Sequence, residues 1–216
     1  MTPTDKNEKV HIEKINEAKW NLRAEDFDEK RYGYLRFFQK HLIKKLNLTE
    51  SQNFLDIGCG TGWAVRYAAN IIKEGGKAYG IDFSSKMIEK AKINSLNYEN
   101  LQFFKVSARK LPFEDNYFNK IICTNAFHHF PEPLEVLKEV FRVLLPGGKI
   151  FIMGPTADGF IMSRINKRVM RKEPEHVKFY STKEYQCLFK QSHLEYETSK
   201  IFMTFMWPMK IHIAKK

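Results

Sequence analysis

"FLDIGCGTGW", residues 54–63, runs from a short apolar segment through an acid into glycines at every second position, Gly58, Gly60 and Gly62. A short apolar run reads as a buried strand, and glycines let the backbone leaving it turn sharply and approach a ligand closely. The stretch is therefore strand, glycine turn and helix, the unit that places a nucleotide-type ligand at the carboxyl edge of a parallel sheet. Two details turn the reading away from a dinucleotide. The spacing is GxGxG and not the GxGxxG of the dinucleotide fingerprint. Asp56, just before the turn, would also repel a pyrophosphate seated on the helix N-terminus. A ligand with positive groups and no phosphate fits better, and S-adenosylmethionine carries both a sulfonium and an amino group. Asp56 then serves as a counter-charge.

Working outward, residues 53–154 alternate apolar runs with helix-like stretches. "NFLDI", "KAYGID", "LQFFKV", "KIICTN" and "KIFIMG" read as strands. "GWAVRYAANIIKEG", "SSKMIEKAKINSL" and "EPLEVLKEVFRVLL" carry apolar residues at helical spacing, as at Leu134, Leu137, Phe141 and Leu144. The alternation predicts an α/β fold, a parallel sheet covered by helices on both faces. Ser84 is placed to cap the second helix, Gly75 and Gly76 to stop the first, and "LPGGK" at 145–149 to end the third. Residues 1–49 read as a helical N-terminal cap over one end of the sheet, with aromatic spots at Trp20, Phe27, Tyr32, Tyr34, Phe37 and Phe38. After residue 180 the sequence predicts a helix capped by Ser181. Two antiparallel strands joined through Trp207 and Pro208 follow.

The 216 residues suit one sizeable domain: cap 1–49, cofactor-binding core 50–155, and 156–216 as lid helix and terminal hairpin. No apolar run approaches the length of a membrane span. The opening "MTPTDKNEKVHIEK" lacks the apolar core of a secretory leader, and Cys59, Cys123 and Cys187 show no CxxC pairing, so a reduced, cytoplasmic setting is expected and no metal site. The net charge of +11 favours anionic partners.

A second acid, Asp82, ends the second strand about 20 residues after the last glycine, where a carboxylate can accept hydrogen bonds from both ribose hydroxyls. Phe83 and Met87 are candidate apolar walls for the adenine, although a Met opening an amphipathic helix is as readily core. Taken together, "LDIGCGTG", "GIDFS", "LPFEDNYFNKIICTNAFHHF" and "VLKEVFRVLLPGGKI" resemble, in order and spacing, the motifs of class I S-adenosylmethionine-dependent methyltransferases. The branch most similar is that of the ubiquinone and menaquinone C-methyltransferases. The resemblance is strong over about residues 50–155, weak at 18–31, and fades after 160. It implies a Rossmann-like doubly wound sheet of seven strands whose last strand is antiparallel. It further implies Asp56, Gly58 and Gly60 at the methionine end, Asp82 on the ribose, Ser107 and Ala108 at the adenine, and Asn125 on the floor of the cleft. Ser107 departs from the family pattern, which usually has an acid there.

Methyl transfer is an in-line displacement at a carbon already activated by the sulfonium, so placement of the nucleophile carries most of the catalysis. A base is needed only if the acceptor must lose a proton. His128 and His129 stand directly after the fourth strand, and His128 is the candidate base. The segment 160–178 reads as a basic amphipathic lid helix: Arg164, Lys167, Arg168, Arg171 and Lys172 recur at helical spacing, with Ile161, Ile165 and Val169 as an apolar stripe. It suits an anionic membrane surface or a phosphorylated substrate, and equally a plain solvated face. "IFMTFMW" at 201–207 is a candidate wall for an apolar pocket. The expected activity is methyl transfer to a small hydrophobic, phenolic or prenylated acceptor, under the lid. RNA methylation ranks lower, because the sequence shows no separate RNA-binding module. A protein that binds S-adenosylmethionine without turnover is the third reading.

Overall fold

The computed structural model describes residues 14–27, 33–172, 178–203 and 208–216. Its strands are β1 (Phe54–Ile57), β2 (Ala78–Asp82), β3 (Leu101–Lys105), β4 (Phe118–Thr124), β5 (Leu144–Pro155), β6 (Glu195–Met203) and β7 (Pro208–Lys215). They form one seven-stranded sheet in the order β3-β2-β1-β4-β5-β7-β6. The first five run parallel, and β7 is antiparallel to both β5 and β6. The chain leaves β1 outward to β2 and β3, then returns to β4 on the other side of β1. That reversal opens a crevice beyond the carboxyl ends of β1 and β4.

Helices cover both faces. α1 occupies 14–23, followed by α2 (Gly33–Lys45), α3 (Trp63–Ile72), α4 (Ser85–Ile93), α5 (Pro133–Val143), α6 (Phe160–Lys172) and α7 (Thr182–Gln191). α3 buries Ala64, Val65, Ala68, Ala69 and Ile72, one stripe of a 3.6-residue period. With α2 and α4 it packs on the face that carries Phe54, Ala78, Ile122 and Phe151. α5 starts on a proline, which suits the first helical position. It buries Val136, Leu137, Val140 and Val143 and shares the opposite face with α7, against Leu55, Ile57, Ile121 and Ile150. β1 and β2 are buried throughout, which explains their unbroken apolar reading. At ~1.5–3 kcal/mol per fully buried large aliphatic or aromatic side chain, this two-sided burial is the main source of stability.

The capping signals are used. Ser84 Oγ accepts from the Met87 amide at 3.2 Å, and Ser181 with Glu184 forms a capping box on α7. One boundary moves: α5 ends at Val143, and β5 begins at Leu144, before the "PGG" turn. Leu144 has already turned extended and pairs with Phe118, so ladder bonding takes over from the helix two residues earlier than the apolar periodicity suggests. The β6–β7 connection, including Trp207, lies outside the described residues. No helix among the described residues is long and apolar enough to cross a membrane, and Cys59, Cys123 and Cys187 are free.

Candidate active site

The site begins where β1 ends. Gly58 and Cys59 amides both donate to Ile81 O at 2.9 Å, so the glycine turn is stitched to β2 as it leaves the sheet. Gly58 has φ +76°, and a Cβ there would lie 2.4 Å from the Ala126 Cβ. Gly60 has φ +53°, and its Cβ would press on the Phe27 ring at 3.2 Å. Both glycines are required by left-handed backbone and close approach together. The Gly60 amide donates to Asp82 Oδ2 at 3.0 Å, and the Ser84 amide to Oδ1 at 2.9 Å. Asp82 thus ties the turn to the start of α4, while a carboxylate of two such oxygens keeps acceptor capacity for two hydroxyls. Burial pushes its carboxyl up to about 6, against hydrogen bonds from the Ser84, Gly60 and Phe83 backbones that favour the charged form.

Around this turn lies a cavity of about 640 Å³ that runs along the carboxyl edge of the sheet. Gly58, Gly60, Asp82 and Phe83 form its β1–β2 half; Thr124, Asn125, Pro155 and Met209 form its β4, β5 and β7 half. Met209 reaches this edge because β7 is antiparallel and sets it opposite Pro155. The floor at Asn125 is backbone in the left-handed region (φ 54°), which Asn tolerates, held by its amide on Met153 O at 2.7 Å. The roof comes from the N-terminal segment: Trp20, Phe27, Leu35, Phe38 and Gln39. Gln39 Nε2 donates to Thr124 Oγ1 at 3.0 Å, which pins α2 over the β4 end.

His128 and His129 lie in a short 3₁₀ turn, and both line the cavity. Their rings are 4.1 Å apart; His128 faces Phe179 at 5.2 Å and His129 faces Trp20 at 5.4 Å. Phe127 instead turns down into the core below. Ser107 and Ala108 line a smaller adjoining cavity of about 30 Å³. It shares Phe83, His129 and Phe130 with the large one.

The structure therefore gathers Gly58, Gly60, Asp82, Phe83, Asn125 and His128 on one cavity and Ser107 and Ala108 beside it. Asp56 and Met87 line neither. Met87 is buried below the α4 N-terminus. Asp56 shares the sheet face of Phe54 and is fully buried, with neither carboxyl oxygen hydrogen-bonded. Burial, and next the charge of Asp82, push its carboxyl up to about 8. Cys59 is on the cavity wall, but burial and the two aspartates hold its thiol well above the range where thiolate forms.

α6 places none of its described side chains on the cavity, and among the described residues the cover comes from the N-terminal segment. Its Arg164, Lys167, Arg168 and Arg171 are exposed, while Met162 and Asn166 face inward; Asn166 holds the Phe179 backbone by two hydrogen bonds of 2.9 and 3.0 Å. Among the described residues, α6 reaches the site through Phe179. The side chains of Ile161 and Lys172, residues 173–177 and most of "IFMTFMW" lie outside the described residues; Ile201 is exposed. Gln39, Thr124, Phe179 and Met209 were not legible as site residues, because each joins the cavity only through pairing or packing of elements far apart in sequence.

A glycine turn at the switch point, an acid on the next strand and an antiparallel seventh strand define a transferase-type Rossmann-like protein with an adenosine-containing ligand. A sequence profile described as a methyltransferase domain matches residues 55–152. A demethylmenaquinone methyltransferase of Bacillus mycoides is 28% identical over 215 residues, 88% of this chain and 89% of the relative. One of Bacillus cereus is 31% identical over 163 residues, 72% of this chain and 67% of the relative. A solved S-adenosylmethionine-dependent methyltransferase of Aquifex aeolicus superposes with TM-score 0.70 at 23% identity, covering 91% of this chain and 98% of its own. The chain belongs to the class I S-adenosylmethionine-dependent methyltransferases. The left-handed cradle at Gly58 and Gly60 and the acceptor oxygens of Asp82 fit that cofactor, which supplies an activated methyl group when bound.

Proposed function

We propose that the methyl acceptor is a small hydrophobic molecule of phenolic or quinol type, with or without a prenyl chain. The observation that carries this reading is the roofed cavity of about 640 Å³. Its β1–β2 half has the cradle and Asp82, and its β4–β7 half is walled by Leu35, Phe38, Pro155, Phe179 and Met209. An apolar wall of this kind binds by excluding water, and a few polar groups, here Gln39, Thr124 and Asn125, orient the ligand. The names of the relatives, which refer to demethylmenaquinone, support the same class. In this reading Gly58, Gly60 and Asp82 hold the cofactor, and the cavity wall sets the acceptor in line. His128 takes the proton of an acceptor hydroxyl, since imidazole exchanges protons near neutral pH. The roof of α1 and α2 disfavours RNA, whose bases would need an open trough. The exposed basic face of α6 remains available to an anionic surface or a phosphorylated group.

The test is transfer of labelled methyl from S-adenosylmethionine to a panel of short-chain demethylated naphthoquinols, simple phenols and total RNA. Turnover on the first two and none on RNA is expected, and His128→Gln should lower kcat by roughly 10²–10⁴-fold with cofactor affinity unchanged. Labelling of RNA alone would reject the acceptor class; full activity of the variant would reject the base.

A further inference from the structure

Asn16, on α1, is 2% exposed, and its Oδ1 has no hydrogen-bond partner among the described residues. It lines the small cavity with Phe83, Ser107 and Ala108. A buried carboxamide oxygen left unpaired costs stability, so it is placed to accept from whatever donor enters the small cavity. The helix is held in the rotation that aims Asn16 inward. Glu17 pairs with Lys105 at 2.7 Å, and Asn21 Oδ1 accepts from Ser84 Oγ at 2.7 Å and from the Lys86 amide at 3.2 Å. Those contacts fix one face of α1. The i, i+4 neighbours Asn16 and Trp20 share another, which looks onto the two adjoining cavities.

What the ligand must bring is a donor. Of the other polar side chains on this small cavity, Arg109 can only donate, Ser107 Oγ already receives the Arg109 amide and Nε at 3.4 Å, and His129 sets its ring against Trp20 and His128. Resting on the cofactor reading above, we propose that Asn16 recognises the adenine edge of S-adenosylmethionine, the ring lying in the large cavity beside Phe83 and only its exocyclic amino group entering the small one, where Oδ1 accepts from it. A carboxamide suits adenine because it offers an acceptor to the amino group and a donor to a ring nitrogen at once. This acceptor comes from the N-terminal helix and stands in for the acid absent at Ser107. It also couples cofactor binding to seating of α1, which carries Trp20 onto the roof.

Calorimetric titration of wild type and Asn16→Leu with S-adenosylhomocysteine and with its deaminated analogue S-inosylhomocysteine tests the assignment. Wild type should favour the adenine compound by roughly tenfold or more; the variant should lose roughly tenfold on that compound and little on the deaminated one, so that discrimination collapses. The ligand-free variant should melt no lower than wild type, because the leucine removes an unpaired polar atom, whereas a purely structural Asn16 would show a lower melting temperature and intact discrimination. Wild-type affinity for S-adenosylhomocysteine in the variant, or preserved discrimination, overturns the role of Asn16 alone. No binding of S-adenosylhomocysteine by wild type overturns the cofactor reading and Asn16 with it.

Discussion

Replacing Asp56 by asparagine should make the ligand-free protein more stable near neutral pH and less stable in acid. The carboxyl is fully buried in β1 with both oxygens unpaired, and its pKa rises from 3.8 to about 8 on folding. Below the ordinary value both folded and unfolded chains carry the proton, and nothing is lost. Between the two values the unfolded chain is ionised while the folded one keeps its proton, so stability falls by about 1.4 kcal/mol for each pH unit. By pH 7 the accumulated loss is about 4 kcal/mol. An amide escapes that loss but brings N–H donors to a place with no acceptor, at ~1–3 kcal/mol. The net gain for the variant is then about 1–3 kcal/mol at pH 7, and the sign reverses at about pH 4.5–6, where the accumulated loss equals the cost of the amide. Urea unfolding of both proteins without cofactor at pH 5, 6 and 7 measures this directly. The gap should move in the variant's favour by about 2.7 kcal/mol across that range. A gap that does not change with pH would refute a protonated, unpaired Asp56.

Two further outcomes follow from buried titrating groups. Cofactor affinity should fall as pH drops through about 6, where Asp82 takes up its proton and loses acceptor capacity. Asp82→Asn should flatten that dependence and weaken binding by roughly 10–100-fold, whereas unchanged calorimetric affinity would remove Asp82 from the ribose. His212, stacked on Tyr185 at 4.0 Å with both ring nitrogens unpaired, is held down to about 4, mainly by burial, with Lys210 adding and Asp158 opposing. The unfolded chain binds the proton first, so this histidine costs up to about 3 kcal/mol as pH falls from 6.5 to 4. His212→Leu should therefore gain on wild type in urea unfolding across that window; a constant difference would show that His212 does not titrate there.

The sequence by itself determined the parallel α/β core, because runs such as β1 and β2 are apolar but for Asp56 and Asp82, as strands buried on both faces are, and the stripes between strands have the period of helices packed on them. It also marked Gly58, Gly60 and Asp82, since left-handed turns and acids at strand ends are local chemistry written in adjacent residues. Tertiary structure alone decided what closes the site. Met209 comes to Pro155 only because β7 runs antiparallel beside β5, and Gln39 reaches Thr124 across 85 residues of chain. Asp56 sinks under the turn by the parity of β1, which no spacing to the glycines specifies. The basic periodicity of α6 suggested a lid, whereas among the described residues the roof comes from α1, Phe27 and α2. An amphipathic pattern fixes which side of a helix is wet, while the place where its dry side lands depends on every element it packs against.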